Sequence, residues 1–248
     1  MLIGAVVISS AYLASHMPEM RIPAAYVGKT ILNNPKVDER VVALTFDDGP
    51  SPYTTPAVLD ALKKYKAKAT FFVVGQMVSH RESLLKRMVD EGHVVGNHSF
   101  SHPYHPPEAK AKYELKLTNQ LIYNAIGAYP TLFRPPGGVM DSWTAKIAKA
   151  NGLASVIWTG SSADTATKDP NVVYNNVVAA AHPGAIILMH DVKPHTAAAV
   201  PRILATLAKK GYKFVTVPQM LDIWEKAVEK AKLGELATKV KPTNSKPS

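Results

Sequence analysis

The chain of 248 residues carries 29 Lys and Arg against 19 Asp and Glu, for a formal net charge of +10, and it has no cysteine. That length suits one large domain, and the missing cysteine excludes a disulfide framework, a thiol nucleophile and a cysteine zinc site, so any metal must use His, Asp or Glu. The positive charge favours anionic surroundings such as an acidic cell wall. The lysines are dispersed, however, as in Lys63-Lys64 and Lys209-Lys210, and no aromatic-interleaved basic patch points to nucleic acid.

Met1 to Ala14 is apolar and uncharged. Residues 1–15 read as a signal-like or anchor-like segment, too short to span a bilayer comfortably and without a basic leader. They predict a secreted or envelope-associated protein, with a membrane tether allowed. Residues 16–40 mix Pro, Gly, Asn and charge and read as a lead-in. Residues 41–231 then alternate strand and helix. Val41 to Asp48 is a β-branched apolar run closed by Gly49-Pro50, which predicts a buried strand ending in two carboxylates. Helix is expected over Tyr53 to Tyr65, strand over Ala69 to Gly75, helix over Glu82 to Glu91 and strand over Val94 to Ser99. A longer helix follows over Ala109 to Ile126, then a short strand, Leu132 to Arg134, halted by Pro135-Pro136. Ser142 to Asn151 is a helix, Ala154 to Trp158 a strand, Asn171 to Ala181 a helix and Ala185 to His190 a strand. The last pair of helices, Ala198 to Lys210 and Gln219 to Ala231, flanks a strand at Lys213 to Val217, with Pro201 tolerable only in a first turn. Residues 232–248 are polar, contain proline and read as a disordered tail.

Seven strands alternating with helices predict a parallel sheet with helical crossovers. The fold class is α/β, a distorted (β/α) barrel of about seven strands, TIM-barrel-like and not fully closed. A doubly wound open sheet is the alternative. No glycine-rich phosphate loop follows the first strand, which argues against a nucleotide.

Ionisable residues gather at the strand ends. The first strand delivers Asp47 and Asp48, the third His98 with His102 just beyond, the fourth Arg134, the fifth leads to Asp164, and the sixth gives His190 and Asp191. In a barrel these carboxyl ends share one rim. Neighbours on a strand point to opposite sides, so Asp47 and Asp48 need not do the same job. His98 and His102, four residues apart, form with a carboxylate a two-His-one-carboxylate set that suits one divalent ion, zinc first and cobalt or nickel next. His80, His93, His105, His182 and His195 lack such company, and His93 and His182 read as loop or capping residues.

From Val41 to Met220 the chain resembles the polysaccharide deacetylases, the NodB-homology domains of carbohydrate esterase family four. Thr45 to Gly49 is similar to the family's first motif, His98 to His102 to its second, Arg134 to Gly138 to its third, and Leu188 to His190 to its fifth, in the right order and each at a strand end. The resemblance implies metal-dependent removal of N-acetyl groups from an N-acetylated glycan. Cell-envelope peptidoglycan comes first, then chitin-like oligomers or poly-N-acetylglucosamine. It implies that Asp48, His98 and His102 are the metal ligands, Asp47 the general base, Arg134 its holder, His190 the general acid and Asp164 the carboxylate that orients it. Leu188 would line the acetyl pocket, and Gly137 would offer its N–H to the oxyanion. Two departures stand out. Many relatives have an aromatic residue where this chain has Gly137, so the groove wall is expected to lack a ring. The fourth motif, usually Asp-x-x-Asp-Trp, here reads Ser161-Ser-Ala-Asp164-Thr165, so its first carboxylate and its Trp are missing. Trp158 or Trp143 could compensate, and a core role is the equal alternative for each. A monomer is expected. The competing readings are a catalytically weak wall-binding module of the same fold and a related amide hydrolase acting on a small substrate.

Overall fold

The computed structural model describes residues 20–32 and 35–239. The apolar N-terminal segment therefore lies outside the described residues, as does the chain after Lys239. No helix among the described residues is long and apolar enough to cross a membrane.

Among the described residues nine strands, all parallel, form one curled sheet: β1 (Thr30–Ile31), β2 (Val41–Asp47), β3 (Ala69–Val73), β4 (Val94–Asn97), β5 (Leu132–Phe133), β6 (Ala154–Val156), β7 (Gly160–Ser161), β8 (Ala185–His190) and β9 (Lys213–Phe214). The order is β1-β6-β5-β4-β3-β2-β8-β7, with β9 beside the start of β2. Neighbours in sequence stay neighbours in space from β2 to β6, and the late strand β8 returns to pair with β2. That is the winding of a barrel, since a doubly wound sheet would reverse its order part-way. Among the described residues β1 and β7 end the order and do not pair with each other, so the barrel is open, as expected. These two strands raise the count above the expected seven. Each is only two residues long, too short to show a period.

The helices are α1 (Thr55–Lys64), α2 (Gly75–Val78), α3 (Glu82–Asp90), α4 (Glu108–Ile126), α5 (Thr144–Ala150), α6 (Pro170–Ala180), α7 (Pro194–Lys209) and α8 (Val217–Lys239). Every residue of β2 and β3 is buried, which is how a parallel strand covered on both faces reads. Phe46 and Phe71, paired in register on these strands, stack with ring centroids 5.1 Å apart.

Two boundaries correct the sequence reading. α8 continues through Lys239, so residues 232–239 of the expected disordered tail are helical; Lys, Leu, Glu and Ala are strong helix formers. α7 starts at Pro194, where proline is preorganised for a first turn, and Pro201 lies inside it, not in its first turn. The Pro201 ring is exposed, between the buried Val200 and Ile203, so the helical bond it forfeits faces water. His93 lies between α3 and β4 as expected, its N–H donating to the Met88 carbonyl near the end of α3 at 2.8 Å. It is 1% exposed and accepts the Ala69 N–H at 3.2 Å, and burial lowers its pKa to about 4.

Candidate active site

β2 and β8 lie side by side with Thr45 opposite Leu188 and Asp47 opposite His190. In parallel strands, residues in register point to the same side, so Leu188 and His190 rise beside Thr45 and Asp47 at the barrel mouth. The strand then turns at Asp48, whose φ of 73° swings its carboxylate away from that of Asp47. Gly49 is required there: a Cβ would sit 2.4 Å from both carboxylate oxygens of the buried Asp191. Asp191 accepts a hydrogen bond from Thr55 Oγ1, and burial pushes its pKa up to about 7. It supports the turn from below.

Arg134 is fully buried and ties three strands together. Its Nε donates to the Val156 carbonyl at 3.0 Å, and its Nη1 donates to Thr45 Oγ1 at 2.8 Å and to Asp47 Oδ1 at 2.7 Å. Thr45 Oγ1 donates its own proton to the Ile187 carbonyl, so only its lone pairs are left to meet the guanidinium. The guanidinium carbon lies 4.1 Å from the centre of the Phe72 ring and 5.7 Å from that of Trp158. Burial raises the Asp47 pKa more than Arg134 lowers it, so the net direction is up. A carboxylate held in place with a raised pKa suits a proton acceptor.

His98 Nδ1 is 2.7 Å from the Arg134 carbonyl, an acceptor only, so Nδ1 carries the proton and Nε2 presents a lone pair. Burial drives the His98 pKa down to about 3, which keeps the ring neutral. His98 Nε2 lies 3.5 Å and His102 Nε2 3.4 Å from Asp48 Oδ1. These separations are too long for hydrogen bonds, and buried Asp48 Oδ1 has no partner. They match the roughly 3.3–3.4 Å between ligand atoms placed tetrahedrally about an ion at 2.0–2.1 Å. All three ligand atoms lie within 4.8 Å of one another. The donor set and the orphaned oxygen fit a divalent cation.

His190 faces this group from β8. Its Nδ1 donates to Asp164 Oδ1 at 2.7 Å, its backbone N–H to Asp164 Oδ2 at 2.8 Å, and its Nε2 points into the cleft, 3.9 Å from Asp48 Oδ2. Thr196 Oγ1 also donates to Asp164 Oδ2, at 2.6 Å. Burial opposes a charge on the ring, but the Asp164 hydrogen bond and charge, together with the charges of Asp47 and Asp48, outweigh it, and the His190 pKa is raised. The cleft of about 280 Å³ is lined by Asp47, Asp48, His98, His102 and His190 together with Leu188, Gly137, Tyr104, Trp158, Ser161 and Thr165.

A model of the family described as polysaccharide deacetylase matches residues 34–156. A peptidoglycan-N-acetylglucosamine deacetylase of Bacillus cereus is 40% identical over 205 residues, 80% of this chain and 94% of that protein. The chain belongs to the polysaccharide deacetylase family. The peptidoglycan-N-acetylmuramic acid deacetylase PdaA of Bacillus subtilis is 36% identical over 204 residues, 80% of this chain and 75% of that protein. The solved structure of the peptidoglycan deacetylase PdaC from the same organism matches with a TM-score of 0.73 at 35% identity, covering 82% of this chain and 98% of that one.

This polysaccharide deacetylase chain brings every site residue expected from its sequence to one cleft or its immediate support. The exception is Trp143, one of two candidates for compensating the missing fourth-motif Trp. It packs instead against the separate apolar cluster of Leu115, Phe133, Ile147, Ala148 and Leu153. Sequence reasoning missed Thr45, Thr196 and His195, whose Nε2 lies 2.8 Å from the Asp164 carbonyl oxygen. Thr45 was legible within the first motif. Thr196 and His195 sit in the first turn of α7, where no pattern marks them.

Proposed function

We propose that this chain is a metal-dependent N-deacetylase of cell-wall peptidoglycan, acting on its N-acetylated amino sugars outside the cytoplasm. The observation that carries it is the unpartnered Asp48 oxygen between two imidazole lone pairs, facing an Arg-held carboxylate and a carboxylate-held imidazole across one cleft. Asp48, His98 and His102 would hold the ion, zinc first and cobalt or nickel next. A divalent ion there polarises the acetyl carbonyl and acidifies water.

The remaining work falls to the chain's own side chains. Asp47 takes the proton of the water that adds to the acetyl carbon, and Arg134 keeps its carboxylate aimed. The Gly137 N–H offers a hydrogen bond to the oxygen that gains charge. His190 gives its Nε2 proton to the amide nitrogen as the C–N bond breaks, leaving acetate and a free amine, while Asp164 fixes the ring by Nδ1. Leu188 surrounds the methyl group and leaves little room for larger acyl chains. A wall-binding module without turnover would have no need to position a proton acceptor opposite a proton donor. The test is acetate release from peptidoglycan and from N-acetylglucosamine oligomers after chelation and after readdition of metal. Release restored by a divalent ion supports the reading; no release from any of them under any metal overturns it.

A further inference from the structure

The missing ring at position 137 left the groove wall bare in the sequence reading, yet a ring stands there. It is Tyr104, two residues past His102. Tyr104 is 63% exposed and lines the cleft. Its ring meets His102 edge-on, with centroids 5.3 Å apart and planes at 85°. The backbone is left-handed on both sides of it, at His102 (φ 56°) and His105 (φ 46°), a conformation costing about 1 kcal/mol or more for residues with side chains. His105 Nδ1 is held 2.9 Å from Asp141 Oδ1, which pins the far side of the turn. A strained, pinned turn that thrusts a large ring into solvent does nothing for the core.

Gly137 shows what the ring occupies. With φ at 62°, a Cβ on Gly137 would sit 2.5 Å from Tyr104 Cε1, so a side chain at 137 would displace the ring from this position. On the other flank a Cβ on Gly138 would sit 2.7 Å from Trp158 Cη2. The two glycines thus lie between two rings, and Tyr104 stays 63% exposed.

We propose that Tyr104 is a specificity-determining residue, the aromatic wall on which the pyranose next to the reacting unit stacks. The proposal rests on the deacetylase reading for the identity of the ligand. Pyranoses present apolar C–H faces, and an aromatic face held in place gains contact area at little entropic cost. A contact made equally in ground and transition states changes KM and leaves kcat alone.

The experiment measures binding separately from turnover. Affinity for the N-acetylglucosamine tetramer and for the alternating peptidoglycan tetrasaccharide is measured in the Asp47→Asn background, with Tyr104 intact or changed to Ala or Phe. KM and kcat are measured with Asp47 present. Tyr104→Ala should weaken the tighter-bound tetrasaccharide about tenfold. It should raise KM in step, leave kcat and metal content unchanged, and leave affinity for N-acetylglucosamine itself unchanged. Tyr104→Phe should match the parent within about twofold. Equal tetrasaccharide affinity in Tyr104→Ala and its parent overturns the proposal. So does metal loss in Tyr104→Ala, which would make the ring a prop for His102, and so does failure of either tetrasaccharide to bind. If the parent binds a tetrasaccharide but releases no acetate, the deacetylase reading falls while the affinity comparison still decides the role of Tyr104.

Discussion

Asp47 and Asp48 are adjacent, and the backbone assigns them different work. Asp47 ends β2 beside Arg134, whereas Asp48 leaves the strand with positive φ and turns to His98 and His102. Asp47→Asn keeps the shape and removes the proton acceptor. It should lower kcat by at least about 10²-fold while the protein keeps its metal, read by acetate release and metal analysis. Near-normal turnover in the folded variant would make another group the base. As the proposed proton donor His190 would act only while protonated, so the rate should fall as pH rises through its pKa. Asp164 raises that pKa against the effect of burial. Asp164→Asn removes the strongest opposition to burial and leaves only the charges of Asp47 and Asp48, so the alkaline limb of the kcat profile should move to lower pH. An unmoved limb would separate the two residues. His190→Ala should lose about 10²–10⁴-fold in kcat.

At the scale of elements, the long β-branched runs and their closing turns made β2, β3 and β8 legible, because burial on both faces leaves an unbroken apolar signature. β1 and β7 left none, being two residues each. α8 was cut short because its polar composition suggested disorder, whereas its residues favour helix wherever the preceding turns are already anchored. The stretch from His98 to His105 was readable as a pair of candidate ligands and not as a wall. The meeting of Tyr104 with Gly137 joins residues 33 apart in sequence, and no local pattern encodes it. Pro201 tests how strictly α7 depends on its ladder. An interior proline costs a helix about 3 kcal/mol, partly offset by the stiffer unfolded chain. Pro201→Ala at this exposed site should therefore raise Tm by roughly 2–6 °C in a thermal melt. A lower Tm would mean that the proline bend itself packs α7 against its neighbours.

For the whole molecule, the parallel barrel explains why residues from Asp47 to His190 meet: each lies at or just past the carboxyl end of a strand. That convergence was legible because the motifs sat at predicted strand ends. The support beneath it was not, since the Asp191–Thr55 bond and the Thr196–Asp164 bond connect separate elements through burial. The net charge of +10 acts at this scale too. Attraction to an anionic wall is screened by salt, so KM for intact peptidoglycan should rise between about 0.05 and 0.5 M salt while KM for a neutral N-acetylglucosamine oligomer holds. Equal responses of the two substrates would assign the charge no part in binding.

The division of one cleft into an ion-holding side and a proton-handling side is tested most directly by metal content. One divalent ion per chain should remain in Asp47→Asn and in His190→Ala, and none in the His98→Ala, His102→Ala double variant. Metal retained by the double variant, or lost from His190→Ala, would contradict the account.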